Sequence, residues 1–199
     1  MSGLVLATTN PGKLRELRHL LAHLPVEVFA PADLGIVLDV VEDGDSFAAN
    51  AARKARAYAT GAALPALGDD SGLEVDALGG FPGVVSSRWV DGGDAERVRA
   101  LLERLRDVPT DRRTARFRCA AALAWPDGRL VTAAGQVEGR IATAPRGTGG
   151  FGYDPVFLVE DGGYDGRLTV AELPAEEKDR LSHRGRAVRA LLPLIEGWL

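Results

Sequence analysis

The stretch "TARFRCAAALAWPDGRLVTAAGQVEGRI", residues 114–141, restricts the possible folds more than any other part of the chain. Its first half alternates, setting Phe117, Cys119, Ala121 and Leu123 on one face. Pro126-Asp127-Gly128 then supplies a tight turn, and a second strand-like run follows. This pattern specifies a hairpin of two long strands. A chain that contains it must build a sheet and must find other elements to cover that sheet.

The remaining sequence provides them. "LVLATT" is a short apolar run of strand type. Asn10-Pro11-Gly12 is turn chemistry, and Leu14, Leu17, Leu20, Leu21 and Leu24 recur after it at helical spacing. "VEVFAPADLG" reads as a second strand and a loop. An alanine-rich helix follows an acidic loop, with Ser46 as its N-cap and Gly61 as its expected stop. "LPALGDD" reads as a strand ending at its two aspartates. Val98, Leu101, Leu102 and Leu105 mark an amphipathic helix. The chain closes with a short helix, a break near Ser182 and an apolar helix. Strands and helices are interleaved, so the class is α/β or α+β with a mixed sheet. No repeat, low-complexity tract or linker divides residues 1–199, and a single domain is expected.

Composition narrows the functional classes. A net charge of -4 lacks the basic footprint of general nucleic-acid binding. Cys119 is the only cysteine, which excludes a disulfide framework and a cysteine metal cluster and suits a small buried strand residue. No segment approaches the roughly 18 apolar residues of a membrane span, and no basic leader precedes an apolar run. The default expectation is a cytoplasmic enzyme or binding protein. Only three of the 24 Lys and Arg residues are lysine: Lys13, Lys54 and Lys178. Where arginine serves most surface positions, the surviving lysines are candidates for a compact point charge on phosphate.

Polar, glycine-bearing segments interrupt the apolar pattern. "TTNPGK" (Thr8, Thr9, Asn10, Lys13) joins a strand to a helix, where backbone N–H groups and the helix dipole favour an anion. Its bland alternative is an Asx turn with a solvated lysine. "VEDGDSFAANAARKA" carries Glu42, Asp43 and Asp45, then Asn50 and Lys54 four apart on one helical face. The acids suit magnesium or simply a solvated loop, the latter more strongly for Asp43 and Asp45 than for Glu42. "GDDSG" holds Asp69, Asp70 and Ser71. Two adjacent carboxylates repel unless a cation or a proton intervenes, and such residues also cap helices and form turns. "GTGGFGYDP" formally contains G-x-G-x-x-G, but no strand-turn-helix context surrounds it, and Pro155 would halt a helix directly after it. A backbone-lined loop against a flat ligand fits better, with Phe151 or Tyr153 stacking and Asp154 accepting a hydrogen bond; its bland alternative is a glycine-rich hairpin loop with the aromatics tucked into the core. "EEKDRLSHRG" offers Lys178, Ser182, His183 and Arg184; a lone histidine is more often structural than catalytic, but Ser-His-Arg-Gly at a helix start presents donors suited to a carbonyl-rich base. All three lysines and both asparagines, Asn10 and Asn50, fall inside these segments.

In order and spacing, "ATTNPGKLREL", "SFAANAARKA", "LPALGDDSGLEVDALGGFPGVVSSRW", "GTGGFGYDPVF" and "EEKDRLSHRGRA" resemble the inosine/xanthosine triphosphate pyrophosphatase family, from Leu4 to the closing helix. The resemblance implies hydrolysis of non-standard purine nucleoside triphosphates to the monophosphate and pyrophosphate, with Mg2+. It also implies an elongated α/β fold whose two lobes flank a central cleft, and a homodimer. Carried over residue by residue, Thr8, Thr9, Asn10 and Lys13 would hold the triphosphate, with Lys54 contributing. Glu42, Asp70 and Asp69 would bind the metal. Asp70 would accept the proton of the attacking water, with Lys13 as its catalytic partner. Ser71 would touch substrate, and Phe151, Gly152, Tyr153, Asp154, Lys178, His183 and Arg184 would surround base and sugar. One departure is plain: the family often has a glutamate where Ala49 stands, which bears on metal stoichiometry. A pyrophosphatase for pyrimidine or modified nucleotides, and a non-catalytic nucleotide-binding protein, are the rival expectations.

Overall fold

A computed structural model of the chain describes residues 3–197. Among these, six strands form one sheet in the order β2-β1-β3-β4-β5-β6. The strands are β1 (Gly3–Leu6), β2 (Glu27–Phe29), β3 (Ala66–Val75), β4 (Thr114–Ala124), β5 (Leu130–Ile141) and β6 (Phe157–Val159). The sheet is mixed, as the sequence leads one to expect: β1 runs parallel to β2 and β3, while β5 and β6 are antiparallel. The helices are α1 (Pro11–Leu21), α2 (Phe47–Ala62), α3 (Asp94–Arg104), α4 (Ala175–Leu181), α5 (His183–Arg189) and α6 (Leu192–Glu196). The hairpin turn forms where expected, with Gly128 in the left-handed region at φ 93° and Trp125 N–H donating to the Arg129 carbonyl.

The chain divides into two compact units. The first contains residues 1–70, 119–135 and 184–199, and the second residues 71–118 and 136–183. In the first unit, strand alternation sends side chains to two separate cores. Leu4, Leu6, Leu67, Cys119, Ala121 and Leu123 pack with Leu17 and Leu21 of α1 and with Ala187 and Val188 of α5. Val5, Ala7, Ala66, Ala120, Ala122 and Ala124 pack on the opposite side with Ala51, Ala55 and Ala59 of α2. This second core is nearly all alanine, so α2 lies close against the strands. In the second unit, Phe117, Val137, Ile141, Phe157 and Val159 form a core with Val98 and Leu101 of α3 and with Leu181 of α4.

Two expectations are revised. Helix α2 does not stop at Gly61. It continues to Ala62, and Ala63 takes the left-handed terminating conformation at φ 52°. Leu38 lies where a side chain at residue 61 would project, so this glycine serves packing rather than termination. The strand entering "GDDSG" also does not end there; β3 runs through both aspartates to Val75.

Close packing makes a specific demand at Gly68. A Cβ there would meet the Ala51 carbonyl oxygen at 2.8 Å and the Ala55 backbone nitrogen at 2.9 Å, both in α2. Gly68→Ala is therefore expected to displace that helix and cost about 1–3 kcal/mol as overpacking. Urea denaturation would measure the loss. A wild-type midpoint would show that the contact is slack.

Candidate active site

Because β3 passes through Asp69 and Asp70, the two carboxylates fall on opposite faces of the strand. Each meets a different set of partners. Asp69 is fully buried, and its Oδ2 lies 3.1 Å from Lys13 Nζ and 3.0 Å from Arg184 Nε. The Arg184 guanidinium, 1% exposed, also pairs with Glu16 of α1. Burial alone would raise the Asp69 pKa, but the Arg184 and Lys13 cations outweigh it and hold the carboxyl well below the usual range.

Asp70 faces α2. Its Oδ2 accepts a 2.9 Å hydrogen bond from Asn50 Nδ2, and its Oδ1 lies 3.8 Å from Lys54 Nζ. Asn50 is fully buried and also accepts from the Gly44 N–H at 2.8 Å, which ties the acidic loop to the strand. Lys54 Nζ lies 2.8 Å from Glu42 Oε2, so one ammonium touches both Glu42 and Asp70. Burial raises the Asp70 pKa, and Lys54, Lys13 and Asn50 offset only part of that rise. Adjacent aspartates whose environments push them in opposite directions are the usual mark of divided roles, the raised one exchanging protons.

A metal can be tested against this donor set. Among the described residues no three His, Cys, Asp or Glu side chains converge to hold an ion. Glu42 and Asp70 are nevertheless hard oxygen donors with a cation already between them. Magnesium is commonly held by one or two carboxylates together with water and substrate phosphate, so this pair fits. Ala49, in the first turn of α2, adds no third carboxylate. Asp43 is exposed and pairs with Arg53, as the solvated-loop reading expects.

The strand-to-helix turn differs from a bare anion cradle. Asn10 caps α1, and its Oδ1 accepts from the N–H groups of Gly12 at 2.9 Å and Lys13 at 3.1 Å. Two of the backbone donors expected for phosphate are thus engaged by the cap. Thr8 Oγ1 accepts from the Asn10 N–H at 3.2 Å, and Thr9 is exposed.

The second unit contains an apolar pocket with polar groups in its wall. Phe117, Val137 and Leu173 line it together with Asp154, Lys178 and His183. Asp154 Oδ2 accepts from Lys178 Nζ at 2.7 Å and from the Phe151 N–H at 2.9 Å. The Lys178 ammonium sits 4.8 Å from the centre of the Phe151 ring, a cation–π contact. The His183 ring stacks on Phe117, with centroids 4.8 Å apart and planes 14° from parallel. Gly152 N–H donates to Asp94 Oδ2 at 2.6 Å, and Ser71 is half-buried.

Tyr153 is not available as a stacking platform. It is buried, its hydroxyl donates to the Ser86 carbonyl at 2.7 Å, and it accepts from Trp89 Nε1 at 2.6 Å. This leaves Phe151 as the ring suited to a base. Nor does the Arg184 side chain lie open to a base, because Asp69 and Glu16 hold its guanidinium in the first unit's interior. All three lysines do pair with acids singled out from the sequence: Lys13 with Asp69, Lys54 with Glu42 and Asp70, and Lys178 with Asp154.

The family model of the Ham1 family matches residues 4–194. The chain belongs to the Ham1 family. Its relatives include a dITP/XTP pyrophosphatase of Symbiobacterium thermophilum, 53% identical over 95% of this chain and 92% of its own length. Another, a dITP/XTP pyrophosphatase of Geobacter sulfurreducens, is 48% identical over 100% of this chain and 98% of its own. A HAM1 protein from Coxiella burnetii has a similar solved structure, with a TM-score of 0.85 and 40% identity over 98% of both chains. A structure titled nucleoside-triphosphatase / dITP/XTP pyrophosphatase from Mycobacterium abscessus aligns with a TM-score of 0.73 and 46% identity, over 96% of this chain and 99% of that one.

In this Ham1 chain, sequence reasoning missed Glu16 and Phe117 as members of the two clusters. Glu16 had a local signal: it stands three residues after Lys13, on the same side of α1. Phe117 had none, because an alternating strand marks it only as a core residue.

Proposed function

We propose that the protein hydrolyses non-standard purine nucleoside triphosphates, those of inosine, deoxyinosine and xanthosine, to the monophosphate and pyrophosphate. The observation that carries this reading is the setting of Asp70: a buried carboxylate with raised pKa, oriented by Asn50 and sharing the Lys54 ammonium with Glu42.

Asp70 accepts the proton of a water that attacks the α-phosphorus. A P–O bond forms there, the bond to the bridging oxygen breaks, and pyrophosphate leaves with the electron pair. Lys13 and Lys54 offset the charge that develops on the leaving group. Glu42 and Asp70 would hold a magnesium ion, which would add charge neutralisation and acidify a bound water. The Thr8 hydroxyl contributes a phosphate donor, whereas Asn10 acts by capping the helix that carries Lys13.

Phe151, Asp154, Lys178 and His183 serve the base and sugar. Donors facing the six-position favour the carbonyl of hypoxanthine and xanthine. Against adenine they would be left opposite an amino group, and an unpaired buried donor is costly. On this reading the enzyme works in the cytoplasm, on the nucleotide pool, as a homodimer. No helix among the described residues is long and apolar enough to cross a membrane.

The test is pyrophosphate release from the triphosphates of inosine, xanthosine, guanosine, adenosine and deoxyuridine, with and without magnesium. Fast, magnesium-dependent release from the first two supports both reaction and base choice. Equal rates on all five would overturn the base assignment, and no release would leave a nucleotide-binding protein.

A further inference from the structure

We propose that Asp69 is a positioning residue for Lys13: it fixes the lysine ammonium for the departing pyrophosphate and takes no metal. The inference rests on the pyrophosphatase reading above and assigns one of its two adjacent carboxylates a separate task.

The geometry distinguishes Asp69 from a magnesium ligand. Its Oδ2 is engaged by two cations, at 3.1 Å to Lys13 Nζ and 3.0 Å to Arg184 Nε. Its Oδ1 is buried with no hydrogen-bond partner among the described residues. Magnesium bound through one or two carboxylates keeps several waters and meets substrate oxygens, and a carboxylate with no exposed surface cannot serve that shell.

The same geometry suits a support for Lys13. A lysine side chain has a flexible four-carbon stem, and holding it in one place costs rotamer freedom. Asp69 holds Nζ twice, through its carboxylate at 3.1 Å and its own backbone carbonyl at 3.5 Å. An ammonium has three N–H donors, so one is left for a phosphate oxygen. Asp69 is itself held by Arg184, which Glu16 holds from α1, the helix that also carries Lys13. Two cations and two carboxylates thus form a charge-balanced assembly that settles where one ammonium sits before substrate arrives, the condition for electrostatic preorganisation.

The experiment compares full-length wild type, Asp69→Asn, Lys13→Gln and the double variant. It measures, by calorimetry, the binding of magnesium pyrophosphate and of inosine monophosphate, the two products. Asp69→Asn is expected to weaken pyrophosphate binding by about tenfold or more, as befits a lost charge-assisted contact, and to leave monophosphate binding nearly unchanged. Lys13→Gln is expected to show the same selectivity, with the double variant no worse than Lys13→Gln alone. Pyrophosphate affinity that stays at the wild-type value, equal weakening of both products, or penalties that multiply would each overturn the proposal.

Should Asp69→Asn fail to fold, Asp69→Glu keeps the charge opposite Arg184 while displacing the carboxylate by one methylene. It carries the same selective loss, and equal weakening of both products would overturn the proposal there too. A wild type that binds pyrophosphate by calorimetry yet releases none from inosine triphosphate would overturn the hydrolase reading instead. The product-binding comparison would still decide the role of Asp69.

Discussion

Asp70→Asn is expected to lower kcat by about 10²–10⁴-fold, the usual contribution of a positioned general base. The fold should survive, because asparagine has the shape of aspartate and can turn its carbonyl oxygen toward Asn50 Nδ2, which donates to Asp70 at 2.9 Å. Thermal stability should hold or rise, since a buried carboxylate with an unfavourable environment is replaced by a neutral group. Steady-state turnover of inosine triphosphate at saturating magnesium, with melting curves on the same samples, is the measurement. Turnover within about tenfold of wild type would remove Asp70 from the proton-accepting role. Loss of activity accompanied by unfolding would remove the variant as evidence for chemistry.

The second large effect is on stability. Arg184→Met is expected to cost about 3–5 kcal/mol, because it leaves the carboxylates of Asp69 and Glu16 without the guanidinium that both contact. In a chain of this size that corresponds to a fall in Tm of roughly 6–20 °C. The sign of the pH dependence follows from Asp69. In wild type its folded pKa is depressed, so its stabilisation is present above the unfolded carboxylate value and is lost only as pH falls through the folded one. Without Arg184 the buried carboxyl takes a proton more readily. The gap between variant and wild type should therefore be widest near neutrality and narrow on acidification toward the unfolded carboxylate range, about pH 4. Thermal denaturation at several pH values checks this. A gap that widens in acid would mean the guanidinium does not depress Asp69.

Much of the architecture was legible because it rests on local periodicity. The β4–β5 hairpin, the Ser46 cap of α2 and the break at Ser182 each depend on residues within a few positions of one another. The site was legible as a set of residue types, above all in the three lysines. Its pairings were not, because each lies far along the chain. Asp69 and Arg184 are 115 residues apart, and nothing near either announces the other. The same distance explains why the strand reads from sequence as ending at its two aspartates: two consecutive aspartates oppose a strand unless cations and an amide from remote segments satisfy them. Asn10 shows a subtler limit. Its sequence context suits both an anion-binding turn and a helix cap, and the capping hydrogen bonds to Gly12 and Lys13 favour the cap.

The strand-embedded pair also constrains how the gene can vary. With side chains alternating along β3, inserting or deleting one codon before Asp69 would put each aspartate on the opposite face of the strand, so that neither keeps its partners. A substitution in this strand alters the contacts of one position, whereas a change in its length shifts those of every position beyond it. Length differences between viable relatives should therefore collect in the connecting loops, and the spacing from Ala66 to Val75 should stay fixed.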